Sequence, residues 1–339
     1  MQSRVALLLL VFVLSTGATI RDLGTLPGGG ASSASAVNVH GKAVGWAFNA
    51  AGVQRAVLFN PPSSAIEIPT PFVSGGSAEA MDINDGGVVV GGMATPTVSR
   101  RAFIWSGGSV ITDIGSGTTQ STAFSINNAK EIAGQSNHAG WRAVKWPAGS
   151  WTFVTLGTFG GALDSANAIA EFPRIAGTSR YAGGPRHAAI WDAKKVIDLG
   201  TLGGANSFAH GIIVRTWPDD SFTETYVVGE SERGTSTSDV GAFLWTGWTM
   251  TNLGTLPGWY GSKAYSINKN LDVVGVAWDI FGGGTHHAVI WRGGVIEDLN
   301  TWISDPEWEL QIAYGINDAG QIVGYGRHKD QGRAFLLEP

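Results

Sequence analysis

The residues best suited to ligand chemistry fall in four irregular segments in the last third of the chain. These segments combine aromatic rings, which can stack on the apolar face of a sugar, with charged groups and imidazoles, which can hydrogen-bond its hydroxyls. The candidate ligand-binding residues are Trp259, Tyr260, Trp278, Asp279, His286, His287, Trp302, Glu307, Trp308, Tyr325, Arg327 and His328. This combination is typical of carbohydrate recognition. The alternative interpretation is that the aromatic rings only cover the backbone of their own loops.

The same segments contain groups that could act as acids and bases. Tyr260 or His287 could serve as the base of a polysaccharide lyase, with Arg327 neutralising a uronate. A glycosidase would instead need a pair of carboxylates, and the candidates for that pair are Asp279, Asp305, Glu307 and Glu309. Because carboxylates in surface loops are usually only solvated, we favour a non-enzymatic binding module and keep a polysaccharide lyase or hydrolase as the alternative.

No metal site and no cofactor are predicted. His286, His287, Asp279 and His328 are of types that bind metals, but their spacing repeats no known ligand pattern. The chain contains neither a Gly-x-Ser-x-Gly nucleophile motif nor a phosphate-binding loop. It contains no Cys, which excludes disulfides and thiol catalysis.

Four short sequence elements recur seven times and must position these segments. The first, Ala-x-small-Ile/Val-Asn, ends at Asn38, Asn84, Asn127, Asn268 and Asn317, with degenerate copies ending at Ala170 and Ile213. An apolar-Gly step follows at Gly45, Gly91, Gly134, Gly177, Gly229, Gly275 and Gly324. An Arg/His/Gly-Ala-apolar element begins at Arg55, Arg101, Arg142, His187, Gly241, His287 and Arg333. A Leu-Gly-Thr type element lies around Leu23, Ile68, Ile114, Leu156, Leu199, Leu253 and Leu299.

These repeats predict an all-β fold, a seven-bladed β-propeller with four antiparallel strands per blade. Their spacing of about 45 residues is typical of such blades. Turns such as 84–87, Asn-Asp-Gly-Gly, favour hairpins, because Asn and Gly tolerate positive φ. The Ala of the first element suits a strand beside a crowded axis, where we expect only small side chains to fit. The repeated Gly suits a close backbone approach or a bulge.

The two ends of the chain predict how the ring closes. Residues 20–24 form a fourth-strand element with no blade before it, and residues 333–337 form a third-strand element with no fourth strand after it. The N-terminal strand is therefore expected to complete the last blade, which removes two exposed sheet edges. Residues 19–339 are then a single domain.

Residues 1–18 are predicted to be a secretory signal peptide. Arg4 precedes an apolar run at 6–14, and small residues follow at 15–18. The run is too short to span a bilayer, so we expect a secreted or periplasmic protein that does not span a membrane. A formal net charge of -5 gives no reason to expect nucleic acid as a partner.

The repeated elements resemble the HAF repeat of exported bacterial proteins, named for a recurring His-Ala-Phe. The resemblance rests on Leu-Gly-Thr-Leu-Gly-Gly, Ser-Ile-Asn, Val-Val-Gly and His-Ala-Val-Ile-Trp, and it covers essentially all of residues 19–339. It implies an extracellular propeller-like protein and provides no catalytic residues. Arg replaces the first His in four of the seven copies and Gly replaces it in one, which argues against a uniform ring of catalytic or metal-binding side chains.

In such a ring, the second-to-third and fourth-to-first loops share one face, here called the top face. The irregular segments of blades six and seven all lie in these loops or beside them, so we expect their side chains to lie near one another. The repeated Arg and His side chains lie at the same edge, and we expect them to bond neighbouring loops. The sequence therefore predicts an exported module that binds a glycan or cell-surface polymer. A protein-interaction scaffold, with contacts at the Trp217-Pro218 hairpin tip, is a further alternative.

Overall fold

The computed structural model describes residues 17–61, 65–70, 76–115, 119–172, 174–193, 195–216, 223–279 and 284–339. The signal-peptide prediction therefore falls largely outside the described residues, and the Trp217-Pro218 tip falls outside them entirely. Within the described ranges, no helix is long and apolar enough to cross a membrane.

The described residues form seven four-stranded antiparallel sheets, each a blade. Blades one to three consist of β2 (Ser32–Val37), β3 (Ala43–Phe48), β4 (Gln54–Phe59) and β5 (Ala65–Glu67); β6 (Ala78–Ile83), β7 (Val89–Met93), β8 (Arg101–Trp105) and β9 (Thr112–Asp113); and β10 (Ser121–Ile126), β11 (Ile132–Asn137), β12 (Trp141–Trp146) and β13 (Val154–Thr155). Blades four and five consist of β14 (Ser165–Ile169), β15 (Arg174–Arg180), β16 (Arg186–Asp192) and β17 (Lys195–Asp198); and β18 (Ser207–Thr216), β19 (Thr223–Glu232), β20 (Val240–Trp245) and β21 (Met250–Asn252).

Blades six and seven complete the ring, with a 3-10 helix at Leu299–Trp302 between them. Their strands are β22 (Gly261–Ile267), β23 (Val273–Trp278), β24 (His286–Arg292) and β25 (Val295–Asp298); and β26 (Trp308–Ile316), β27 (Ile322–His328), β28 (Gln331–Glu338) and β1 (Thr19–Asp22). The sheet order β1-β28-β27-β26 confirms the prediction that the N-terminal strand completes the last blade. In this closure Asp22 lies opposite Phe335, and the Leu23 backbone N–H donates to the Ala334 carbonyl at 3.0 Å.

The cores lie between neighbouring blades, where the Ala of the first repeat element is fully buried. In the core between blades one and seven, Ala34 and Val57 pack with Val323 and Ala334, and all four are 0% exposed. The Ala is thus small because the neighbouring blade packs against it.

Every first strand carries a β-bulge at the same place, directly after this Ala. In blade three the register shifts between Ala123 and Ser125, so Phe124 is the bulged residue. The repeated Gly of the second strand lies against the bulged strand: a Cβ on Gly134 would lie 2.1 Å from the Thr122 carbonyl oxygen. No larger residue fits there without backbone movement, which explains why Gly recurs.

The Asn that ends the first element joins successive blades. Asn38 Nδ2 donates to the Asn84 carbonyl, Asn84 Nδ2 donates to the Asn127 carbonyl, and Asn127 Nδ2 donates to the Ala170 carbonyl, each at 3.1 Å. The belt resumes from Asn268 to Asn317 and from Asn317 to Asn38. Each side-chain oxygen also accepts backbone N–H groups of its own turn, so one side chain caps a hairpin and links two blades.

Candidate functional site

The residues predicted to bind ligand form two groups on the top face. In blade six, the Trp259 and His287 rings lie 4.7 Å apart, and the Tyr260 hydroxyl lies 3.0 Å from that of Ser238. Trp278 adjoins this group, since the Tyr260 backbone N–H donates to the Trp278 carbonyl at 3.0 Å and the Trp278 ring lies against Gly261. His286 is exposed at the start of β24.

In blade seven, the rings of Trp308 and His328 stack with centroids 4.5 Å apart and planes inclined by 3°. Glu307 precedes this Trp and forms an ion pair with Lys329 at 3.1 Å. Trp308 is itself buried in the core between blades six and seven, so it packs rather than offering an open platform.

Two of the predicted residues lie apart from these groups. Trp302 covers Arg292 at the other end of β24 from His286, because the 3-10 helix turns the chain back before β26 begins. Tyr325 lines a cavity in the axial channel. The expectation that all four segments come together was therefore wrong for these two residues. Arg327 directly precedes His328 in the blade seven group, where it is exposed and pairs with Asp330 at 3.2 Å. Asp279 lies next to Trp278, and residues 280–283 of its loop are outside the described residues.

Five of the six recurring Arg and His at the start of the third strand are bound to carboxylates of the fourth strand, and Arg142 instead pairs with Asp164 of the loop before β14. The pairs are Arg55 with Glu67, Arg101 with Asp113, His187 with Asp198, His287 with Asp298 and Arg333 with Asp22. The hydrogen bond to Asp298 raises the pKa of His287 above its ordinary value. Because the same pairing recurs around the ring, it gives this imidazole a structural role, as the sequence suggested for this position.

The axis of the propeller is lined by the seven bulged residues of the first strands. They are Ser35, Met81, Phe124, Asn167, His210, Tyr265 and Tyr314, and each is half-buried. The expectation that only small side chains fit near the axis was wrong, because the bulge turns the x position of Ala-x-small-Ile/Val-Asn toward the channel. The sequence does mark this position, because its residue type varies from blade to blade while the other positions of the motif repeat.

These side chains form the floor of an axial cavity with a volume of about 690 Å³. The cavity lies toward the top face, since the starts of the first strands line it. Five aromatic rings contribute to its wall: Trp46, Phe124, Tyr265, Tyr314 and Tyr325. Polar groups are interspersed among them: Ser33, Ser35, Glu79, Asn167 and His210. Its size falls within the roughly 300–1,000 Å³ of small-molecule sites.

Two tyrosines present hydroxyl groups to this cavity. The rings of Tyr265 and Tyr314 lie 5.2 Å apart, and His210 lies 5.5 Å from Tyr265. Burial raises the pKa of both phenols above the ordinary value, so both stay protonated and can donate. Within the described part of the chain, neither hydroxyl has a hydrogen-bond partner. Each is therefore available to a ligand.

Charges near the cavity are paired. Glu230 lies 2.7 Å from Lys263 Nζ and 3.4 Å from His210 Nε2. Burial raises the pKa of the Glu230 carboxyl, but the hydrogen bonds and charges of His210 and Lys263 outweigh this effect. The pKa therefore lies below its ordinary value. Glu79 pairs with Arg100 at 3.2 Å. Because the carboxylates of Glu230 and Glu79 are each paired with a cationic side chain, the cavity suits a ligand without strong net charge.

One carboxyl deeper in the channel is less well compensated. Asp82 occupies the small position of the blade two motif and lines the narrower part of the channel below the ring. Burial raises its pKa to about 6, even though the Ser125 hydroxyl and the Ile126 backbone N–H donate to it at 2.8 and 2.9 Å. Asp82 is therefore a group of this channel that titrates in weakly acidic conditions.

Comparisons with known proteins support the fold. The chain matches no protein-family model and no curated protein. Among solved structures, it is similar to the β-propeller domain of the trilobed protease from Pyrococcus furiosus, with a TM-score of 0.58 and 11% identity over 95% of this chain and 96% of that one. That domain is described as having an open velcro topology, whereas β1 closes the ring here.

A second similar structure is the acylaminoacyl peptidase of Pyrococcus horikoshii. Its TM-score is 0.53 and its identity is 9%, over 96% of this chain and 52% of that one. At such identities the likeness extends to the fold alone. The chain is thus a seven-bladed β-propeller with an aromatic axial cavity.

Proposed function

We propose that this protein is an exported, non-enzymatic module that binds a saccharide in its axial cavity. The ligand enters from the top face, and a neutral glycan or the end of a cell-surface polymer is the ligand class. The resemblance to HAF repeats and the leader-like residues 1–18 support export.

The observation that carries the proposal is the composition of the cavity wall. Aromatic faces can stack on the C–H face of a sugar ring, and the hydroxyls of Tyr265 and Tyr314 can bond its hydroxyls. The amide of Asn167 and the imidazole of His210 add both donors and acceptors at the same level of the axis. This alternation of apolar faces and directional polar groups favours a polyhydroxylated ligand.

The blade six group is the second contact region of this proposal. Lys263 Nζ lies 6.0 Å from the centre of the Trp278 ring, and the same Nζ bonds Glu230, which contacts His210 in the cavity. Side chains therefore follow one another from the top-face loops to the axis. A chain of two or more sugars could contact both regions.

Binding can be tested on a glycan array followed by titration calorimetry with the best ligand. Replacing Tyr265 with Phe removes one hydroxyl, and we expect a 3- to 10-fold weaker affinity, since such a bond is worth about 0.5–1.5 kcal/mol. Phe124→Ala, which removes a stacking face, should weaken binding by about 10-fold or more. The matched control is Tyr181→Phe, because the Tyr181 hydroxyl bonds Asp198 and this residue does not line the cavity.

Three results would contradict the proposal. Binding could be absent across a broad array, or unchanged in Tyr265→Phe and Phe124→Ala but lost in Trp259→Ala, which would move the site to the loops. Appearance of 4,5-unsaturated products from an acidic polysaccharide, abolished by His287→Ala, would instead favour a lyase.

A further inference from the structure

We infer that the top face of blade seven contains a divalent-cation site formed by Asp305, Glu307 and His328. One ligand atom of each lies within 4.8 Å of the others. The site is separate from the axial cavity and does not depend on the saccharide proposal. It is the one such cluster of three or more ligands among the described residues.

The histidine of this cluster is oriented as a metal ligand would be. Its Nδ1 lies 3.0 Å from Asp22 Oδ2, so the neutral ring donates there and leaves Nε2 as an acceptor. Nε2 faces Glu307 Oε2 at 4.0 Å, too far for a hydrogen bond. The stacked ring of buried Trp308 holds the imidazole plane. A carboxylate behind the imidazole is the usual second partner of a histidine that binds a metal.

This arrangement has a counterpart in blade four, where Asp198 binds His187 and also accepts a hydrogen bond from the hydroxyl of Tyr181, the residue after β15, at 2.7 Å. In blades two, four and six the fourth-strand Asp binds the Arg or His of its third strand. In blade seven Asp22 binds that residue, Arg333, at 3.5 Å and also binds His328, which lies at the end of β27. Arg333 thus has a carboxylate partner without His328, as the equivalent Arg or His has in blades one, two, four and six. Blade seven differs from blade four in one respect: the second partner of its Asp is an imidazole whose other nitrogen lies beside the carboxylates of Asp305 and Glu307.

The two carboxylates approach the open imidazole nitrogen from the loop before β26. The Glu307 backbone N–H donates to Asp305 Oδ1 at 3.0 Å, which fixes the turn that presents both side chains. Ligands of a tetrahedral Zn²⁺ at about 2.0–2.2 Å lie about 3.4 Å from one another. The half-exposed Glu307 side chain can close the remaining distance by rotating.

The donor set favours a borderline ion of the Zn²⁺ class. Imidazole suits Zn²⁺ and its neighbours, whereas Ca²⁺ and Mg²⁺ favour oxygen ligands throughout. Three protein ligands leave a coordination position for water. Because Asp22 belongs to β1, the ion would also fasten the strand that closes the ring. One cation competes with it: Lys329 Nζ, which lies 3.1 Å from Glu307 in an exposed ion pair that contributes little.

The test is titration of the untagged protein with ZnCl₂ by calorimetry, with CaCl₂ as the comparison ion. We expect one Zn²⁺ per chain, at least 10-fold weaker binding in Glu307→Gln, and 10- to 100-fold weaker binding in Asp22→Asn. Lys329→Gln should bind Zn²⁺ several-fold more tightly, because the competing ammonium is gone. His286→Gln is the matched control, an exposed imidazole of the neighbouring blade.

A second measurement tests the link to ring closure. Zn²⁺ should slow amide exchange of residues 19–22 in the unmodified protein, and it should not do so in Glu307→Gln, whose exposed site leaves folding unaffected. The proposal is overturned if Zn²⁺ does not bind, if Glu307→Gln and Lys329→Gln leave the affinity unchanged, or if His286→Gln weakens binding as much as Glu307→Gln.

Discussion

At the scale of single residues, the Ala-x-small-Ile/Val-Asn motif divides its positions between packing and exposure to the channel. In blade six, Ala264 is fully buried against the neighbouring blade, while Tyr265, one residue later, lines the axis. The bulge between them makes this change of direction possible. The motif is recognisable in the sequence, but the candidate ligand residues were predicted in the loops and not at its x position. A simple strand alternation does not reveal where a bulged side chain points.

Asp82 leads to a prediction about pH. Its folded pKa of about 6 lies above the unfolded value, so between about pH 4 and pH 6 the unfolded chain loses this proton before the folded protein does. The contribution of Asp82 to the free energy of unfolding should therefore fall as pH rises through this range, by at most about 3 kcal/mol. Carboxylates with lowered pKa values, such as Asp198 and Asp298, change stability in the opposite direction, so the contribution of Asp82 is obtained by comparison with a variant. Urea unfolding at pH 4, 5, 6 and 7 measures it.

The comparison variant for this experiment is Asp82→Ser, since Ser occupies the same motif position at Ser125 and Ser266. As pH rises from 4 to 7, the free energy of unfolding of the Asp82→Ser variant should increase relative to that of the unmodified protein. A difference that stays constant over that range would show that Asp82 ionises normally in the folded state.

At the scale of elements, the repeats contain nearly everything needed to predict the blades. The recurring Asn was interpreted as a turn residue, which is half of its role, because its amide also donates to the next blade. A bond between residues 46 positions apart leaves no local pattern. The recurring Arg and His were expected to bond a neighbouring loop or a backbone carbonyl. Arg55, Arg142 and Arg333 do so, through the carbonyls of Gly76, Gly161 and Gly30. Their pairing with carboxylates of the fourth strand was not predicted.

The contribution of the Asn belt can be isolated with two variants. Asn38 and Asn49 both cap a hairpin through Oδ1, but Asn38 also donates to the Asn84 carbonyl. We expect Asn38→Ala to cost about 0.5–1.5 kcal/mol more than Asn49→Ala, because it also removes the hydrogen bond between blades, while the Asn84 carbonyl keeps the Gly87 backbone N–H as a donor. Chemical denaturation measures both. Equal losses would mean that the bond between blades contributes nothing beyond the cap.

At the scale of the whole molecule, the order of the repeats determines the fold, and all seven blades contribute to the axial cavity. The blade count and the closure by β1 were predictable, because both follow from which element stands first and last. The cavity was not, because it is assembled from seven residues that are about 45 positions apart and individually unremarkable in type. Only the ring geometry brings Phe124, His210 and Tyr265 to one place.

The most direct measurement is a crystal structure of the protein with the glycan that binds best on the array. We expect electron density for a sugar ring inside the axial cavity, stacked on an aromatic face and within hydrogen-bond distance of the Tyr265 or Tyr314 hydroxyl. Density confined to the loops around Trp259 and Trp278, with only water at the axis, would contradict this expectation.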